Sequence, residues 1–325
     1  MKRRDFITLV GGAAAWPVVA RGQSGKNYRI GVLETIPQAV NGANFGGLRE
    51  GLRQRGYVEG GNLRFEYRSA DGRGERFAAF AAELVSLGVD LIVTRGTPAA
   101  QAAKAATATI PIVMAAIGEP LGVGIVATLA RPGGNITGLS AFVTELSGKR
   151  IELLKEAFPD IAHVAFLQNM GNPVSQAQWD AARLTAGALG ISAERLDVRN
   201  QQDIERAFAT FQERKLDAMA VGIDALIQAQ AETIVALAAR NRIRAAYPSR
   251  EFVDAGGLMS YGVNYPDLYF RSASLIDKIF KGTKPGDLPV EPPTKLELVI
   301  NLKTAKVLDL PIPSSLLSRA DEVIE

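Results

Sequence analysis

Cysteine is absent from the 325 residues, and histidine occurs once, at His163. Without cysteine there is no disulfide, no thiolate nucleophile, no cysteine-ligated metal and no acylated N-terminal cysteine. The one histidine opens an expected strand in Ala162-His163-Val164-Ala165-Phe166, which leaves no zinc ligand set and no serine triad. Beyond the first residues, no apolar run reaches the length of a membrane-crossing helix. A basic excess is also nearly missing. The 37 Lys and Arg face 34 Asp and Glu, and residues 1–22 hold Lys2, Arg3, Arg4 and Arg21 against Asp5, so the remainder balances 33 to 33. A chain with no net positive field has little to recruit nucleic acid or an anionic membrane. Catalytic motifs are scarce as well. There is no Gly-x-x-x-x-Gly-Lys-Ser/Thr, and Gly138-Leu139-Ser140 lacks the second glycine of a nucleophile elbow. Gly122 to Ala127 fits a relaxed Gly-x-Gly-x-x-Ala pattern, but no strand-ending acid follows about twenty residues on, as a dinucleotide site requires. No pair of carboxylates stands out from solvated helix faces. The expectation is no catalytic residue, no metal and no cofactor.

What is present begins with an address. Lys2-Arg3-Arg4-Asp5-Phe6-Ile7 sets paired arginines before an apolar stretch over 7–20, and Ala20-Arg21-Gly22 offers small residues before Gln23. This is expected to be an export signal of twin-arginine character, residues 1–22, cleaved to leave a soluble periplasmic protein without a lipid anchor. The rest is long enough for two lobes, and with 47% hydrophobic and 22% charged residues it has the composition of a globular chain rather than a disordered one.

Residues 89–104 set the pattern for that remainder. Leu91, Ile92 and Val93 form the short apolar run of a strand buried on both faces. It stops at Arg95-Gly96, after which Thr97 reads as an N-cap, Pro98 as the first helical residue, and 99–106 as a helix rich in alanine. A buried strand feeding a capped helix leaves backbone N–H groups pointing out at the sheet's carboxyl edge. Open α/β sheets hold ligands there, and a helix N-terminus favours a carboxylate or phosphate.

The same alternation runs along the chain. Strands are predicted at 28–33, 63–67, 110–114, 136–139, 163–167, 191–198, 218–221, 244–247, 257–261 and 296–300. Helices are predicted at about 45–56, 77–87, 122–129, 146–157, 175–189, 203–214, 225–239 and 268–280. Two runs of strand and helix imply an α/β protein with two doubly wound parallel-sheet lobes and right-handed crossovers. Polar residues gather at the predicted strand ends: Thr35, Thr97-Pro98, Glu119, Asn172, Ser175, Asp224, Tyr247, Arg250 and Tyr261. Ser175 is expected to cap its helix as Thr97 caps the first. Each residue alone also fits a cap, a turn or a core-edge tyrosine; their joint placement favours a binding cleft between the lobes.

Three stretches carry a resemblance. They are Gly257-Leu258-Met259-Ser260-Tyr261-Gly262-Val263-Asn264-Tyr265-Pro266-Asp267-Leu268, the run 132–138 (Pro-Gly-Gly-Asn-Ile-Thr-Gly), and the run 287–301 from Asp287 to Asn301. The chain resembles ABC-transporter substrate-binding proteins of the tryptophan/tyrosine type over nearly all of residues 23–325. The resemblance implies a type I periplasmic-binding fold with three crossovers, near 139–145, 262–266 and 288–293, where glycine and proline absorb hinge rotation. It implies one lobe from 27–140 plus 265–290 and another from 141–264 plus 291–325. It further implies a monomer that closes over a small molecule and delivers it to an ABC permease in the inner membrane. An amino acid with an aromatic side chain is one candidate ligand; sugars, nucleosides and aromatic acids are others. For an amino acid, the helix at Thr97-Pro98 suits the carboxylate, Asp224 the ammonium with Glu119 as competitor, and Tyr247 and Tyr261 the side chain. Asp224 reads equally well as the cap of the helix after it. Two other functions are carried alongside: an exported ligand sensor of the same fold, and an exported doubly wound enzyme working through carboxylates.

Overall fold

The computed structural model describes residues 26–141 and 143–325; the expected export signal, 1–22, lies outside them. Strands β1 (Tyr28–Glu34), β2 (Leu63–Ser69), β3 (Leu91–Arg95), β4 (Ile112–Ile117) and β5 (Ile136–Ser140) form one sheet in the order β2-β1-β3-β4-β5. All its pairs are parallel. β3, β4 and β5 are buried at every position, which is why apolar runs such as Leu91-Ile92-Val93 and 112–117 fill much of them, whereas edge strand β2 keeps charged residues in its sequence.

The second sheet comprises β6 (His163–Gln168), β7 (Ser192–Asp197), β8 (Ala218–Val221), β9 (Arg244–Tyr247), β10 (Met259–Val263), β11 (Leu296–Asn301) and β12 (Glu322–Ile324). Their order is β12-β11-β10-β9-β8-β6-β7. Here the expectation of wholly parallel sheets needs one correction: β11 is antiparallel to β10. The chain leaves β10 for a helix packed on the first sheet and returns directly into β11. Exit and return share one end of the sheet, so the two strands run in opposite directions.

Apolar side chains cover both faces of each sheet. On one side of the first sheet, Phe45, Leu48 and Leu52 of the helix Gly42–Arg53 pack with Leu268, Leu275 and Ile276 of the helix Tyr265–Phe280. Glycine makes that contact possible. A Cβ at Gly47 would lie 2.4 Å from the Pro266 carbonyl oxygen, and one at Gly51 would lie 2.5 Å from that of Phe270. The helix Val143–Ala157, which follows β5, instead packs on β8, β9 and β10. The chain therefore passes between sheets after β5, at Asn264 and ahead of β11. At the last of these, Leu139 bridges Glu291 and Ser140 N donates to the Glu291 carbonyl at 2.8 Å.

Several local expectations are redrawn. The helix at Thr97 runs Thr97–Ala106 with Gly96 as its N-cap, so Thr97 is the first helical residue and Pro98 the second. Val174, not Ser175, is the N-cap of Ser175–Ala188. Residues 122–129 form turns and not a helix. Gly124 has φ +69°, and the Ile125 and Val126 N–H groups both bond back to the Pro120 carbonyl. Glycine costs a helix about 1 kcal/mol relative to alanine, and this stretch has two. The helix expected over 225–239 is interrupted at Gln230 (φ −105°, ψ 19°), giving Ala225–Ala229 and Ala231–Arg240. The helix expected from 268 starts at Tyr265, where the Asn264 side chain accepts from Asp267 N at 2.7 Å.

Candidate ligand-binding site

The carboxyl ends of strands from both sheets meet around one cavity of ≈ 30 Å³, room for a few water-sized polar groups. The first sheet contributes Thr35 after β1, the turn Gly96-Thr97-Pro98 after β3, and Ile117-Gly118 at the end of β4. The second contributes Asn172 and Val174 after β6 and Ile223, Asp224 and Gln228 after β8, while Ala141, Val143 and Tyr265 come from crossover segments. The ends of β1 and β3, and of β6 and β8, flank the points at which each sheet reverses its strand order, where doubly wound folds place ligands. Gly96 closes the corner: its φ of +82° suits glycine, and a Cβ there would stand 3.2 Å from the Thr35 methyl.

Two walls of the cavity carry opposite electrostatic character. The helix Thr97–Ala106 opens on it with N–H groups that have no partner inside the helix, and its N-cap is a glycine that offers no side chain to satisfy them. On the other wall Asp224 is buried and accepts from Asn169 Nδ2 at 3.1 Å, Asn172 Nδ2 at 2.9 Å and Leu226 N at 2.8 Å. Every one of these donors is neutral. Burial pushes the Asp224 carboxyl above its ordinary pKa, against the pull of those hydrogen bonds.

A second charged group spans the two halves of the molecule. Arg95, at the end of β3, is buried and donates from Nη2 to Glu251 Oε1 at 2.9 Å. Asn44 Nδ2 reaches the same oxygen at 3.2 Å, and the guanidinium lies 4.0 Å from the centre of the Tyr265 ring. Burial favours the neutral Glu251, but Arg95 and the hydrogen bonds outweigh it and hold the carboxyl below its usual range. Behind this pair Glu34 is fully buried and accepts from the Tyr269 hydroxyl; desolvation raises its pKa despite the attraction of Arg95. Arg150 lies on the far side. It donates to the Tyr261 carbonyl at 3.2 Å and to Ser147 Oγ at 3.0 Å, and burial lowers its pKa to about 10.

Thr35, Thr97, Pro98, Asn172 and Asp224 thus come together on the cavity wall, as the strand-end pattern suggested. The other five candidates lie elsewhere. Glu119 accepts from Thr144 N at 3.3 Å. Ser175 donates to the Asn169 carbonyl at 2.6 Å and holds its loop. Tyr247 stacks on Phe252 with ring centres 5.1 Å apart, inside the core of the second sheet. Arg250 pairs with Glu322 and Asp254 at the surface. Tyr261 packs between two apolar clusters with its carbonyl held by Arg150. Arg95, Gln228 and Tyr265 line the cavity without having been singled out. Arg95 had a signal, a cation closing an otherwise apolar strand. Gln228 had none, lying one turn into a helix.

A cavity closed between the carboxyl edges of two α/β sheets linked by three chain crossings defines a receptor that encloses its ligand. The chain belongs to the ABC transporter substrate binding protein family, whose profile it matches over residues 29–324. It is a ligand-capturing component, a binding protein and not an enzyme, and membership implies a small-molecule ligand and a membrane permease as partner. It is 28% identical over 287 residues to a tyrosine-binding protein of Clostridioides difficile (strain R20291), an alignment covering 88% of this chain and 82% of that one. The structure of an ABC domain in complex with L-Trp from Streptococcus pneumonia superimposes with a TM-score of 0.81, at 31% identity, covering 91% of this chain and 100% of the other. The ligand-free, open structure of a substrate-binding protein with adhesive properties from Clostridium difficile gives a TM-score of 0.66, at 26% identity and 92% and 99% coverage.

Proposed function

We propose that this protein captures an amino acid with an aromatic side chain in the periplasm and delivers it to a permease in the inner membrane. The observation that carries this reading is the pairing of Asp224 with the helix Thr97–Ala106 across one small cavity. A buried carboxylate held only by neutral donors lacks a cation, and an uncapped helix N-terminus lacks an anion. A zwitterionic head supplies both, with its ammonium on Asp224 and its carboxylate on the N–H groups and Thr97. Sugars supply neither charge. The relatives that bind tyrosine and tryptophan support the aromatic class.

Capture proceeds by closure. The lobes we assign are 27–140 with 265–290 and 141–264 with 291–325, turning about the crossings near 139–145, 262–266 and 288–293. Only the closed arrangement brings Thr97 and Asp224 to one ligand, so binding shifts the population toward it. We assign residues 1–22 as the export signal, and a monomer as the working state. Calorimetry with L-tyrosine, L-tryptophan and D-glucose, paired with small-angle scattering, tests the reading. Saturable binding of an aromatic amino acid with a fall in radius of gyration is expected. Glucose binding without amino-acid binding, or an unchanged radius at saturation, would overturn it.

A further inference from the structure

The two lobes assigned above touch each other directly, through groups that all belong to this chain. Arg95 stands at the end of β3 in the first lobe, its side chain 2% exposed, and Glu251 lies in the helix Arg250–Asp254 of the second, 28% exposed. Arg95 Nη2 donates to Glu251 Oε1 at 2.9 Å, and Asn44 Nδ2, also from the first lobe, donates to the same oxygen at 3.2 Å. Among the described residues this is the one ion pair that Arg95 makes. Its other hydrogen-bond partner, Asn41 Oδ1 at 3.4 Å, is neutral. Glu34 of the same lobe attracts it, but the Glu34 oxygens accept from the Tyr269 hydroxyl and Thr35 N.

The apolar part of this contact is fitted as closely. A Cβ at Gly72 of the first lobe would stand 2.8 Å from the Ala229 methyl and 3.2 Å from Leu226 Cα of the second, and one at Gly118 would stand 3.0 Å from a Val174 methyl. Ala225 and Val174 of the second lobe are members of the two apolar clusters that pack on the first sheet. Parting the lobes therefore exposes apolar surface, and it does something worse to Arg95. Asn41 and the Tyr265 ring, whose centre lies 4.0 Å from the guanidinium, stay with it in the first lobe, while Glu251 leaves. A cation still shielded on those sides and deprived of its counter-ion is strongly disfavoured.

Resting on the two-lobe closure proposed above, we infer that Arg95 and Glu251 form a latch that holds a fraction of the molecules closed before any ligand binds. Both partners come from the chain, so the latch biases the equilibrium whatever the ligand is. The ligand completes a closure already favoured, and needs less differential affinity for the closed state to populate it. Breaking a desolvated, hydrogen-bonded charge pair acts mainly on dissociation, so the latch slows release more than capture.

The chain has no cysteine, so Val58→Cys in the first lobe and Leu184→Cys in the second, 49% and 74% exposed, accept spin labels away from the ligand cavity. Pulsed dipolar spectroscopy of the unliganded, labelled protein is expected to resolve an open and a closed distance. Glu251→Gln keeps the shape of the side chain and removes its charge. It is expected to lower the closed-to-open ratio about 10-fold, less than a fully buried pair gives because Glu251 keeps a side toward water. Asn44→Asp tests the contact from the other lobe: it sets a second carboxylate against Glu251 and gives Arg95 an anion on its own side. The ratio should fall there too with Glu251 intact, and the double variant should fall no further. A ratio unchanged in both single variants, whatever their melting temperatures, overturns the latch, and so does a wild type with no closed fraction before ligand is added. L-tyrosine separates this from the reading it rests on. If saturating L-tyrosine closes the wild type and the unliganded ratios of wild type and Glu251→Gln agree, the latch alone fails. One fixed distance under every condition would remove closure and the latch together.

Discussion

Replacing Asp224 with asparagine keeps the shape of the side chain and removes its charge. In the native protein Oδ1 accepts from Asn169 Nδ2 and Leu226 N, and Oδ2 accepts from Asn172 Nδ2. An asparagine with its oxygen in the Oδ1 position retains the first two bonds, including the cap of Ala225–Ala229. It sets an amide against the Asn172 amide at the third. One buried donor left unpaired costs about 1–3 kcal/mol, offset in part because a desolvated carboxylate is gone. The melting temperature is therefore expected to drop by a few degrees, at about 2–4 °C per kcal/mol for a chain of this class. Binding suffers more. A buried ammonium facing an amide in place of a carboxylate costs about 2–5 kcal/mol, a loss of roughly 30-fold to several thousandfold in affinity for L-tyrosine. Calorimetry on the folded variant, run beside a thermal melt, separates the two effects. Affinity within threefold of wild type in a protein whose melting point has fallen would refute the reasoning. Asp224 would then be a helix cap and nothing more.

Acidity supplies another test. Burial raises the Asp224 carboxyl above its ordinary value, so affinity for tyrosine should fall as the pH is lowered from neutrality through that raised pKa. Calorimetry across that range should also register proton release on binding; a flat affinity would dissociate Asp224 from the ammonium. The sign for stability is opposite. A carboxyl whose folded pKa is raised contributes stability that is present at low pH and lost as pH rises through that value, so Asp224 and Glu34 make the unliganded protein gain stability on mild acidification. Export is tested at the other end of the chain: Arg3 and Arg4 changed to lysine should leave precursor in the cytoplasm, and sequencing of the wild-type mature protein should begin near Gln23. Normal processing of the lysine variant would rule out the twin-arginine route.

Much of this architecture follows from local chemistry. Unbroken apolar runs such as Leu91-Ile92-Val93 demand burial on both faces, and proline after a glycine corner at Gly96 starts a helix wherever the chain lies. Asp224, too, sits at a boundary marked in the sequence, because an aspartate before an alanine-rich run is a cap by propensity. These features depend on neighbours a few residues apart, and so they determined the strands, most of the helices and five members of the cavity wall. The direction of β11 is another matter, since it depends on where the chain re-enters the second sheet after packing on the first. Tyr247 and Asp224 both follow a strand of the second sheet, yet one stacks on Phe252 in the core and the other faces the cavity. Only the packing of the helix Arg250–Asp254 over β9 decides between them. Arg95 and Glu251 are 156 residues apart and meet because two lobes close. The side-chain amides of Asn169 and Asn172 that hold Asp224 across the second lobe are likewise a property of the assembled walls. A hydrogen bond between residues so far apart depends on every group around it, and no window of sequence contains them all.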